Sequence, residues 1–130
     1  MRCPTKEGKT VAFLSTYSAY ISDHRELLRL DAQRSMLERN LEESALMDLK
    51  EFFMKRLAHG GRLLEEALGL TEGRGIQLLT RSYALTCGLW QALGPDTKPI
   101  SSPDFADLQP EFKEELYEAL TEYWRGALIE

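Results

Sequence analysis

Few side chains in this sequence are of a kind that does covalent or metal chemistry. The only histidines are His24 and His59, and the only cysteines are Cys3 and Cys87. A zinc site needs ligands at short recurring separations such as H-x-x-x-H or C-x-x-C, and neither spacing occurs. Cys87 with His24 would make a thiol nucleophile, but Cys87 sits in an apolar run, where burial raises a thiol's pKa and suppresses the thiolate. A small hydrophobe packed in a helix is the better reading of it. The EGRG run at 72–75 lacks the G-x-G-x-x-G spacing of a phosphate-binding loop, and no strand precedes it. The glutamates between Glu111 and Glu122 fall on the solvated side of a helix. We therefore expect no enzyme, no metal and no cofactor.

What remains is recognition. Tyr17, Tyr20, His24, Phe53, Tyr83, Thr86 and Trp90 fall on the inward stripes of three helices. Apolar bodies with a few polar tips are what a small-molecule pocket requires. The same residues would serve equally as plain core.

The elements that must position them are all helical. At 130 residues, with 43% hydrophobic and 28% charged content, the chain is one globular domain with room for a sizeable core. Residues 1–9 read as a tail or the remnant of a linker, and 10–130 as the helical domain. A first helix is expected over 10–22. A second runs from an Asp23 cap with Glu26 as its box partner to about Arg39. A third starts at an Asn40 cap and keeps one apolar stripe to Leu68, with a kink or an end at Gly60-Gly61. The fourth, about 72–94, starts at Thr71 and stops at Gly94-Pro95. Residues 95–109 hold three prolines and read as a surface loop. Pro110 opens the last helix. No segment alternates convincingly as a strand, so the fold is a bundle of five or six helices.

The fourth helix stands out. Between Gly75 and Pro95 its only charged side chain is Arg81. It is not a membrane span, since Gln77, Thr80, Arg81, Ser82, Thr86 and Gln91 would all be stranded in lipid. One apolar stripe can serve the chain's own core; the other, through Leu78, Leu85, Gly88 and Ala92, calls for a second copy of the chain. The net charge of −5, with no basic cluster, makes the chain itself a poor nucleic-acid binder. Two separated cysteines and no signal peptide at the N-terminus fit a reducing, cytoplasmic setting.

The order of these pieces resembles the C-terminal, effector-binding and dimerisation domain of TetR-like transcriptional regulators. The resemblance rests on FLSTYSAYISDHRELLRL (13–30), LERNLEESALMDLKEFFMKRL (37–57), ALTCGLWQAL (84–93) and EFKEELYEALTEYWRGAL (111–128). The segment CPTKE (3–7) is similar to the junction that follows the family's DNA-reading helix, with Cys3 in place of the usual aromatic. The resemblance implies a homodimer and a small apolar or amphipathic effector, held in a cavity beside Tyr17 and Trp90. It also implies repression through a helix-turn-helix outside this chain, with the helix at 10–22 as the lever. It places Leu85, Gly88, Ala92, Leu116, Leu120, Trp124 and Leu128 in a four-helix dimer interface. The competing expectation is a standalone dimeric interaction protein, in which the core around Tyr17 and Trp90 is tightly packed.

Overall fold

A computed structural model describes residues 5–93 and 111–129. Among them are six helices and no strand: α1 (Lys6–Asp23), α2 (Arg25–Ala32), α3 (Arg34–Asn40), α4 (Glu43–Leu68), α5 (Arg74–Leu93) and α6 (Phe112–Ala127). The expected all-α bundle is the fold. The proline-rich segment 95–109, the Gly94-Pro95 stop, Pro110 and Cys3 lie outside the described residues.

Several boundaries differ from the sequence reading. Residues 6–9, expected in a tail, form the first turn of α1, because the Thr5 hydroxyl accepts the Gly8 amide at 3.0 Å and so caps that turn. The expected single helix to Arg39 is broken at Gln33 into α2 and α3. Neither Asp23 nor Asn40 acts as an N-cap: His24 and Glu42 hold those positions, without side-chain capping bonds.

The largest correction concerns Gly60 and Gly61. Instead of bending α4, they let it touch α5. A Cβ on Gly61 would lie 2.6 Å from the Ile76 nitrogen, and one on Gly75 would lie 2.7 Å from the Gly61 carbonyl carbon. The two helices therefore cross backbone against backbone, in a space only glycine leaves open. Burial of Leu64, Leu68 and Leu78 around the crossing offsets the entropy cost of two glycines inside a helix.

Glu65 joins the same pair of helices. Its backbone carbonyl accepts the amide of Gly69, which is left-handed at φ 66°, and the amide of Leu70 at 3.0 Å, ending α4. Its carboxylate accepts the Gly73 amide at 3.1 Å and the Gly75 amide at 2.9 Å, so Glu65 rather than Thr71 caps α5. At the far side, Arg74 donates to the Ala127 carbonyl at 2.9 Å, tying the start of α5 to the end of α6.

The core lies between α1, α5 and α6. Leu14, Leu78, Leu116, Leu120 and Trp124 are essentially inaccessible, and the Phe13 ring stacks on Trp124 at 5.1 Å. Gly75→Ala should cost about 1–3 kcal/mol in urea unfolding, because the added methyl meets backbone that has no rotamer to yield. On Gly88 the added methyl meets nothing among the described residues of one chain, so any loss from Gly88→Ala should change with protein concentration, as a contact between copies does, while the loss from Gly75→Ala should not. The same concentration dependence for both would contradict the crossing.

Candidate functional site

The seven expected ligand residues do not gather in one pocket. Tyr17 and Thr86 are bonded to each other, hydroxyl to hydroxyl, at 2.9 Å. Thr86 donates to the Ser82 carbonyl at 2.7 Å, and the Trp124 indole donates to the Ser82 hydroxyl at 2.8 Å. Trp90 is buried edge-on against Phe112, with centroids 5.2 Å apart, and the Arg25 guanidinium lies over both rings. These groups satisfy one another, as buried polar atoms must. The expected cavity beside Tyr17 and Trp90 is thus filled by the core. Burial raises the Tyr17 pKa, which keeps its hydroxyl neutral.

The other four are placed differently. Tyr20 stacks on His24 at 4.1 Å at the end of α1, and the His24 ring nitrogen Nδ1 bonds the Tyr20 carbonyl. Phe53 is on α4 and 59% exposed, although its spacing to Leu57, Gly61 and Leu64 puts it on the face of α4 that meets α5. From Glu43 to Arg56 no residue of α4 is buried. Before the glycine crossing α4 therefore buries nothing on the body, and Phe53, Met54 and Met47 all stay exposed.

On α5, Tyr83 and Cys87 lie one turn apart on the ridge that begins at Ile76 and Leu79. Cys87 donates to the Asp31 carboxylate of α2 at 3.4 Å, and the Arg34 guanidinium is 3.8 Å from the same carboxylate. Burial first, then the Cys87 and Asp31 charges, push the Tyr83 phenol above its ordinary value. Burial likewise pushes the Cys87 thiol up to about 11. Cys87 is therefore a poor nucleophile, as its apolar setting in the sequence suggested. Asp31 escaped the sequence reading, because nothing local marks one aspartate of a charged helix as the partner of a residue 56 positions away.

The expected interface residues also divide. Leu116, Leu120 and Trp124 have 0% exposure in a single chain. Their side chains are core and cannot meet a second copy, because the apolar face of α6 is used up by α1 and α5. Leu85 is half-buried against the same core, and Leu128 lines a groove of 280 Å³ between the start of α1 and the end of α6. A second groove, of 400 Å³, lies between Ser15 and Ser18 of α1 and Tyr117 of α6. Gly88 and Ala92 stay exposed.

Among the described residues no cluster of His, Cys, Asp and Glu could hold a metal, and no helix is long and apolar enough to cross a membrane. The chain is a member of the tetracyclin repressor-like C-terminal domain family, whose model matches residues 3–130. No curated protein and no solved structure matches it. Domains of this family belong to transcription regulators rather than enzymes, and they dimerise and bind effectors.

Ser82→Ala leaves the buried Trp124 indole without its acceptor and should cost about 1–3 kcal/mol in chemical unfolding. A loss under about 0.5 kcal/mol would show that water replaces it. The raised Cys87 pKa has a definite sign: the folded state holds the thiol proton more tightly than the unfolded state. The stability it contributes is complete below pH 9 and is lost as pH rises through about 11. Cys87→Ser should remove that part of the alkaline slope in thermal unfolding; an unchanged slope would contradict the assignment.

Proposed function

We propose that this domain is the effector-sensing, dimerising half of a TetR-like repressor, and that its effector enters between α4 and α5. The observation that carries the reading is that Phe53, Met54 and Met47 are exposed although they continue the α4 face that meets α5 at Gly61, while Tyr83 and Cys87 continue the α5 ridge that meets α4 at Ile76 and Leu79. One wall is apolar and soft, and methionine adapts to varied shapes. The other presents a phenol, a thiol and a carboxylate as polar tips. The ligand that fits is a small amphipathic molecule with an apolar body and at least one hydrogen-bonding group.

The glycine crossing gives such a ligand leverage. Bound between the two helices, it fixes the angle at which the free half of α4 stands from α5. The shift it produces can be no larger than its difference in affinity for the open and closed arrangements.

The outer face of α5 is the surface we assign to the dimer, through Gly88 and Ala92 with Leu85 at their edge. Gly88 of α5 and Gly126 of α6 are both helical and exposed, and a Cβ on either would meet nothing among the described residues. A helical glycine costs about 1 kcal/mol relative to alanine. Close approach by a second copy explains why that cost is carried at two exposed positions.

A dimeric interaction module without an effector is the second reading, favoured by the closed core around Tyr17 and Trp90. Binding of 1-anilinonaphthalene-8-sulfonate, followed by fluorescence, separates the two. Phe53→Glu should weaken it about tenfold, whereas Ile129→Glu, at an exposed apolar residue beyond the end of α6, should not. Equal effects from the two would favour the module. Ala92→Glu should halve the mass seen by light scattering, because it buries an unpaired charge at the α5 face; an unchanged mass would remove that face from the interface.

A further inference from the structure

The outward face of α4 carries a second pattern, adjoining Phe53 through the contact of the Phe52 and Phe53 rings at 5.8 Å. Ala45, Leu49, Phe52, Arg56, His59 and Leu63 recur at alternating intervals of four and three residues, the spacing of a two-stranded coiled-coil seam. All six are exposed, with Leu49 at 41%, Phe52 at 50% and Leu63 at 53%. The residues that bind α4 to the body, Gly61, Leu64 and Leu68, lie on another face. The seam therefore has no partner among the described residues.

Charge along the helix says what fits it. Glu42, Glu43, Asp48 and Glu51 precede or flank Phe52 on its N-terminal side, with Lys50 the one base among them; Lys55, Arg56 and Arg62 follow it, with no acid before Glu65. A parallel partner of the same kind would set like charges together. An antiparallel copy sets acids against bases along the whole contact. With the two-fold axis beside Phe52, the two Phe52 rings meet. Asp48 of each copy then flanks Lys55 of the other, both residues lying on the same side of the seam. The Arg56 guanidinium already lies over the Phe52 ring at 4.7 Å and extends that contact.

We propose that α4 pairs with α4 of a second copy of this chain, antiparallel about Phe52, as an isologous contact separate from the α5 face. Two different two-fold contacts on one chain build a tetramer from two dimers. This inference does not rest on the effector site.

Light scattering over a concentration series tests it. The wild type should move toward four times the chain mass as concentration rises, and Phe52→Glu should stop at twice the chain mass. Asp48→Lys should weaken the association about tenfold, from two symmetric pairs turned repulsive. Asp48→Lys with Lys55→Asp should recover it, since the swapped charges again meet their opposites. Ala92→Glu reports on the α5 face alone and should leave the α4 pairing intact. The proposal is overturned if wild type and Phe52→Glu have the same mass at every concentration, or if the charge swap associates as weakly as Asp48→Lys alone.

Discussion

Where Gly61 and Gly75 bring two backbones together, there is no room for a side chain. Everything particular to this molecule follows from that contact. A helix crossing held by side chains can slide or repack, but one held backbone to backbone fixes both position and angle. Glu65 reinforces it from both sides, ending α4 with its carbonyl and capping α5 with its carboxylate. Before the crossing α4 has no buried residue for fourteen positions, from Glu43 to Arg56. A helix anchored at one end and free at the other is a lever whose position a ligand or a partner can set.

The rest of the domain is rigid where the lever is not. Tyr17, Thr86, Ser82 and Trp124 form a buried chain of hydrogen bonds linking α1, α5 and α6. Such a network is costly to break, because each group loses its partner where water cannot replace it. α1, α5 and α6 thus move as one body. An effector acting on the α4 side reaches this body through the glycine crossing, through Glu65, and through the Lys9 ammonium, which donates to the Ala67 carbonyl at 2.9 Å.

Much of this was legible in the sequence, and the failures have identifiable causes. Helical periodicity and the absence of strand alternation gave the fold class, and the four quoted segments gave the family. The closed core was misread as a cavity because Tyr17, Thr86 and Trp90 show periodicity but not their mutual hydrogen bonds. Leu116, Leu120 and Trp124 were assigned to an interface because an apolar stripe does not say which neighbour covers it; α1 and α5 do. Gly60-Gly61 was read by propensity alone, as a kink, whereas its role depends on Gly75 in another helix. Phe53 and Tyr83, expected on inward stripes, are both exposed, because α4 buries nothing over its first half. Asp31 had no sequence signal at all.

The central claim is that α4 is anchored only through its second half. Hydrogen exchange followed by mass spectrometry tests it most directly, on the Phe52→Glu protein, where no second copy covers the helix. The account predicts that amides of 57–68 and 74–86 exchange slowest and at matching rates, with 43–56 distinctly faster. Uniformly slow exchange along the whole of α4, from Glu43 to Leu68, would contradict it.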